Sequence, residues 1–170
     1  MKLLVASIVV ALAGMAPAAT PQLDMVSFFT GRTHSDNVMK VVFHRSSSLV
    51  VDSVGKSDGK QFVLIDTVHE QGKPPRIRKW VMHPAGPGHF TGTLSDSEGP
   101  VDIKVSGSSA TIGYVMNGGL NVNQQLQLLP DGKTMSNHTV VRKFGLRFGS
   151  VDGKIRKLDC LPSLTGRGRG

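Results

Sequence analysis

Polar and apolar residues alternate along much of this chain with the two-residue period of a half-buried strand. The pattern is plainest in the second half. Val101, Ile103 and Val105 alternate with Asp102, Lys104 and Ser106. Ile112, Tyr114 and Met116 share a face, and Asn117-Gly118-Gly119 then signals a tight hairpin. Leu120, Val122, Leu126 and Leu128 oppose Asn121, Asn123, Gln125 and Gln127. Pro130-Asp131-Gly132 turns the chain into a strand over 133–144. A strand over 146–151 follows, and Asp152-Gly153 reads as a turn before a last strand over 154–158.

The first half is less regular. Apolar runs at 39–43 and 49–51 predict strands, and Ser57-Asp58-Gly59 predicts a turn. The next strand, over 61–70, carries Phe62-Val63-Leu64-Ile65. Gly72-Lys73-Pro74-Pro75 interrupts the ladder, because proline offers no donor and holds its own φ. A strand over 77–83 holds the single tryptophan, Pro84-Ala85-Gly86-Pro87-Gly88 ends it, and 90–95 forms another. Residues 19–37 show only a weak pattern. Within them 23–29 reads as a short helix or an irregular plug that covers an open end and stops at Gly31. No part of the chain beyond its first residues keeps a 3.6-residue period for more than two turns. Roughly nine or ten short strands, with turn signals every 8–12 residues, predict an all-β antiparallel sandwich or barrel.

Composition adds a compartment. Met1-Lys2, an apolar run over 3–13 and Ala16-Pro17-Ala18 resemble a secretory signal peptide cleaved after Ala18. The run is shorter than the roughly 20 residues that span a bilayer. The expectation is a signal peptide over 1–18, a single β domain over 19–160 and a disordered Gly/Arg tail over 161–170. No cysteine lies near the cleavage point, so the expected product is exported and not lipid-anchored. The one cysteine, Cys160, cannot cross-link its own domain. The formal net charge is +8. An exported chain does not meet nucleic acid in the cytoplasm, so that charge points to an anionic partner or to solubility. Asn137-His138-Thr139 fits a glycosylation sequon, which matters only in a eukaryotic secretory route.

Candidate chemistry is sparse. No Gly-x-Ser-x-Gly elbow occurs, and Gly86, Gly88 and Gly92 precede no helix that could bind phosphate. Six histidines make no helical pair, and no three or four ligands for a metal assemble from the spacing. No catalytic set and no cofactor motif emerges. What remains lies around the tryptophan. Arg78, Trp80 and Met82 share one face of their strand, and two-residue spacing lets the guanidinium stack on the indole. That stack reads either as a structural closure of the barrel or as an aromatic wall with a cation for an acidic ligand head. Asp66 shares a face with Leu64 and Val68. If that face is interior, Asp66 pairs with Arg78 across the two strands or forms a polar cavity floor.

Several stretches then carry a resemblance. They are Phe28-Phe29-Thr30-Gly31-Arg32, Arg78-Lys79-Trp80, and Phe90-Thr91-Gly92-Thr93-Leu94-Ser95-Asp96. Later come Leu129-Pro130-Asp131-Gly132-Lys133-Thr134, Asn137, and Arg142-Lys143-Phe144-Gly145-Leu146. In order and spacing the chain resembles a bacterial family known as domain of unknown function 3833. The resemblance implies an exported protein of Gram-negative bacteria with a lipocalin-like (calycin-type) antiparallel β-barrel, here of about 8–10 strands. It implies no activity.

The expected function is non-enzymatic binding of a small apolar or lipid-like ligand with an acidic end. The site would comprise Arg78, Trp80, Met82, Phe90, Tyr114 and Asp66, with Arg78 as the charge partner. One alternative is an envelope isomerase or hydrolase using His69, Asp66 or Tyr114. Another is a filled barrel that serves as an interaction partner through its basic surface.

Overall fold

The computed structural model describes residues 21–158. The expected signal peptide, Cys160 and the Gly/Arg tail lie outside them. A five-residue helix, α1 (Met25–Phe29), leads into ten strands. These are β1 (Gly31–Val41), β2 (Ser47–Ser57), β3 (Phe62–Glu70), β4 (Arg76–Gly86), β5 (His89–Leu94), β6 (Val101–Ser106), β7 (Ser109–Met116), β8 (Leu120–Leu128), β9 (Thr134–Lys143) and β10 (Leu146–Leu158). Each pairs antiparallel with its chain neighbours, and β10 returns to β1 to close the barrel. Closure leaves no free sheet edge and directs alternate residues into one shared interior.

α1 stoppers one end. Asp24 caps it by accepting from the Ser27 amide at 2.9 Å. Phe28 and Phe29 meet edge to face, with centroids 5.1 Å apart, and are buried with Met25. Lys157 on β10 donates to the Ser27, Phe28 and Thr30 carbonyls at 2.7–2.9 Å, answering acceptors that a helix end leaves open. The helix lies close against β2 because residue 55 is glycine: a Cβ there would stand 2.0 Å from the Phe29 carbonyl oxygen.

Three stretches differ from the sequence expectation. β1 begins at Gly31, well before the apolar run at 39–43. Its inward row is Thr33, Ser35 and Asn37, all buried and all polar, so the hydrophobic alternation that signals a strand is missing. Its outward row is held by charge instead. His34 bonds Asp52 of β2 at 2.8 Å, and Asp36 accepts from Arg156 of β10 at 2.9 Å. β4 runs on through Pro84 to Gly86, because a register shift between those residues absorbs the missing proline donor. β10 does not turn at Asp152-Gly153. Gly153 pairs with Asn37 inside the ladder, and a Cβ would come within 2.4 Å of the Asn37 amide oxygen. That glycine makes room for a buried side chain on the next strand.

Candidate functional site

The barrel encloses a cavity of about 260 Å³. Met25 and Phe29 of the plug form its floor, and Met39, Leu49, Met116 and Phe148 stand toward the opposite, open end. Asp66, Arg78, Trp80, Met82 and Tyr114 all line it. Phe90 does not. It faces the same interior but packs on the hydrophobic core, opposite Pro84, beyond the cavity wall.

β4 grades the wall from polar to apolar. Its inward row passes from Arg76 near the mouth through Arg78 and Trp80 to Met82 beside the plug. The Arg78–Trp80 stack is present, with the guanidinium carbon 5.2 Å from the indole centroid and 5.9 Å from the Tyr114 ring. Trp80 and Tyr114 meet edge to face at 5.5 Å, so three side chains make one block.

Arg78 does not pair with Asp66, although the two face each other across β3 and β4. Its Nε donates at 3.0 Å to Asp96, on the loop after β5, and its Nη2 donates at 3.2 Å to the Tyr114 hydroxyl. Arg76 donates to the same Asp96 carboxylate at 2.9 Å. The aromatic stack turns the guanidinium toward the mouth, where that loop supplies the acid. Among the described residues nothing accepts from Arg78 Nη1. Burial penalises the Arg78 charge, but Tyr114, Asp96 and Asp66 together outweigh it and hold the group above its ordinary pKa. It is a permanent cation beside an apolar chamber.

Asp66 is occupied. It accepts from the Trp80 indole N–H at 2.7 Å and from the Ser53 hydroxyl at 2.8 Å. Burial raises its pKa, against the opposing pull of those two bonds and of Arg78. With both oxygens engaged, Asp66 fixes the indole and does not present itself to a ligand. The catalytic alternative loses a member in the same way: His69 faces outward from β3, 3.9 Å from Asp52, and reaches no cavity atom.

A polar seam that the sequence reading overlooked runs up the opposite wall. Asn137 donates to Asn37 at 3.0 Å, and Asn37 donates to Ser35 at 2.9 Å. Gln124 and Thr139 both donate to the Asn137 amide oxygen, at 2.9 and 3.0 Å. Asn137 is buried, so the apparent sequon points into the barrel. No buried side-chain polar atom among the described residues lacks a partner. The available signal was the alternation of Thr33, Ser35 and Asn37, a period of two written in polar residues.

A closed antiparallel barrel with a plugged floor, an open mouth and a partly hollow interior defines a lipocalin-like protein. Residues 3–157 match the family described as a protein of unknown function (DUF3833), and the chain belongs to it. A comparison with curated proteins found none that matches. Among solved structures the chain is similar to the S-type phycobiliprotein lyase CPES from Guillardia theta, at 5% identity and TM-score 0.62, over 81% of this chain and 92% of that one. It is also similar to Rv2717c from M. tuberculosis, at 12% identity and TM-score 0.61, over 84% and 100%. At such identities the likeness concerns the fold.

Proposed function

We propose that this protein is a periplasmic, non-enzymatic carrier of one small lipid-like molecule with an acidic head. The observation that carries the reading is the gradient along β4. Arg76 and the unspent donor of Arg78 stand toward the mouth, and Trp80, Met82, Leu64 and the plug enclose the apolar end. A half-buried cation at the polar end of an apolar chamber selects an amphiphile that enters tail first. The cavity of about 260 Å³ lies at the small end of ligand pockets, roughly 300–1,000 Å³. That size suits a medium-length acyl chain better than a whole phospholipid. The lyase that shares the fold is, by its name, an enzyme of phycobiliproteins, and a shared fold by itself assigns no function to this chain. Export is part of the proposal and rests on the apolar N-terminal segment and the Ala16-Pro17-Ala18 site.

The test is native mass spectrometry of protein purified from the periplasm of cells expressing the full-length sequence. The expected result is a stoichiometric adduct, released by organic solvent and identified as an acyl acid. A bare mass, with no uptake when medium-chain fatty acids are added back, would contradict the proposal.

A further inference from the structure

We propose that the protein docks on an anionic lipid bilayer through one lip of its open mouth, formed by the β1–β2 and β9–β10 hairpin tips. The two tips are neighbours, because β10 pairs with β1 and the Val42 amide donates to the Phe148 carbonyl at 3.0 Å. Each ends in a phenylalanine that touches almost nothing. Phe43 is 102% exposed and Phe144 is 91% exposed. Val42, Leu146 and Phe148 are exposed beside them. The opposite, plugged end shows no comparable cluster among the described residues: its exposed large apolar side chains are two aliphatics, Val54 and Leu158, on the strands either side of β1.

Both phenylalanines also hold left-handed backbone, at φ 63° for Phe43 and φ 50° for Phe144. A bulky side chain is disfavoured there, whereas asparagine or glycine adopts the conformation readily. Neither ring gains burial in return. Stability alone therefore selects against phenylalanine at both tips, and the rings must act outside the fold.

The charge around them names the partner. Residues 39–49 and 140–149 contain Lys40, Arg45, Arg142, Lys143 and Arg147, with no aspartate or glutamate. None of the five forms an ion pair with another described residue, and the Lys143 ammonium lies 5.7 Å from the Phe144 ring. The acids of the mouth are engaged elsewhere: Glu70, opposite Leu49, pairs with Lys73, Asp96 is taken by Arg76 and Arg78, and Glu98 accepts from the Gly118 amide. Exposed aromatic rings set among unpaired cations match the interface of a bilayer with negative headgroups. No described helix is long and apolar enough to cross a membrane. The inference goes beyond the carrier reading and holds whatever fills the cavity. It orients the mouth toward the membrane.

The test uses protein purified after expression of the full-length sequence, its N-terminus established by mass spectrometry. Binding is measured by co-sedimentation with phosphatidylglycerol/phosphatidylcholine vesicles and with phosphatidylcholine vesicles. The expected preference for the anionic vesicles is about tenfold or more, and it falls with added salt. The double variant F43N/F144N should lose about tenfold in affinity while its melting temperature stays level or rises. Hydrogen exchange should slow at 41–47 and 143–148 on anionic vesicles and not at 57–61. Unchanged affinity in the double variant would overturn the proposal. So would unprotected tips on the vesicle, or self-association without lipid that the same variant abolishes, since the lip would then be a dimer interface.

Discussion

Trp80 and Asp66 illustrate why single residues here resist substitution. Trp80→Phe preserves the aromatic bulk but removes the indole N–H, leaving one buried carboxyl oxygen without a donor. Chemical denaturation should show a loss of about 2–3 kcal/mol, well above the cost of the ring change alone. Asp66→Asn has the opposite expectation. Burial raises the Asp66 pKa, so the folded state holds this proton more tightly than the unfolded chain does. The favourable contribution is complete below the unfolded value of 3.8 and is lost as pH rises through the folded value. Asparagine can still accept from Trp80 and donate to Ser53. The variant should therefore match or exceed the wild type at pH 7, with the gap closing toward pH 4 in unfolding measurements. A wild type that gains stability relative to Asp66→Asn as pH rises would reverse the assignment.

At the scale of elements, the plug is held by a few identifiable contacts. Lys157→Met removes three donations to the end of α1. Amide exchange at 25–30 should accelerate by about tenfold or more, equivalent to roughly 1.5–3 kcal/mol of local stability, while β7 and β8 exchange as before. Gly55→Ala tests the same seat from the strand side. Its methyl would collide with the Phe29 carbonyl, so the plug must shift and the melting temperature fall. Elements also show what the residue pattern could disclose. Strands β6 to β8 were legible because mainly apolar rows face inward and polar rows face out, and β9 because turn signals bound it. β1 was not, because its inward row belongs to the Asn37–Asn137 seam and its outward row is held by His34 and Asp36. The seam is a contact between residues 100 positions apart, invisible to any local window. Asp152-Gly153 was misread for a related reason: glycine signals a turn locally, and here it accommodates a side chain on a strand that follows it in space. The partner of Arg78 depended on where the loop after β5 would fall, which no strand pattern specifies.

The whole molecule is a polarised container. One end is stoppered by α1. The other opens past Arg76 and Arg78 and bears an aromatic, cationic lip. Its apolar depth and its half-buried cation are the two features on which the carrier reading depends, and both can be varied separately. The most direct measurement is a titration of the purified protein with a medium-chain fatty acid and with the alcohol of equal length, followed by the fluorescence of its single tryptophan, in the wild type and in Arg78→Gln. The account predicts saturable one-to-one binding, with the acid held about tenfold or more tighter than the alcohol, a charge-assisted contact of roughly 1.5–3 kcal/mol. Arg78→Gln should abolish that preference while leaving the alcohol unaffected. Equal affinity for acid and alcohol in the wild type, or no saturable signal from either, would contradict it.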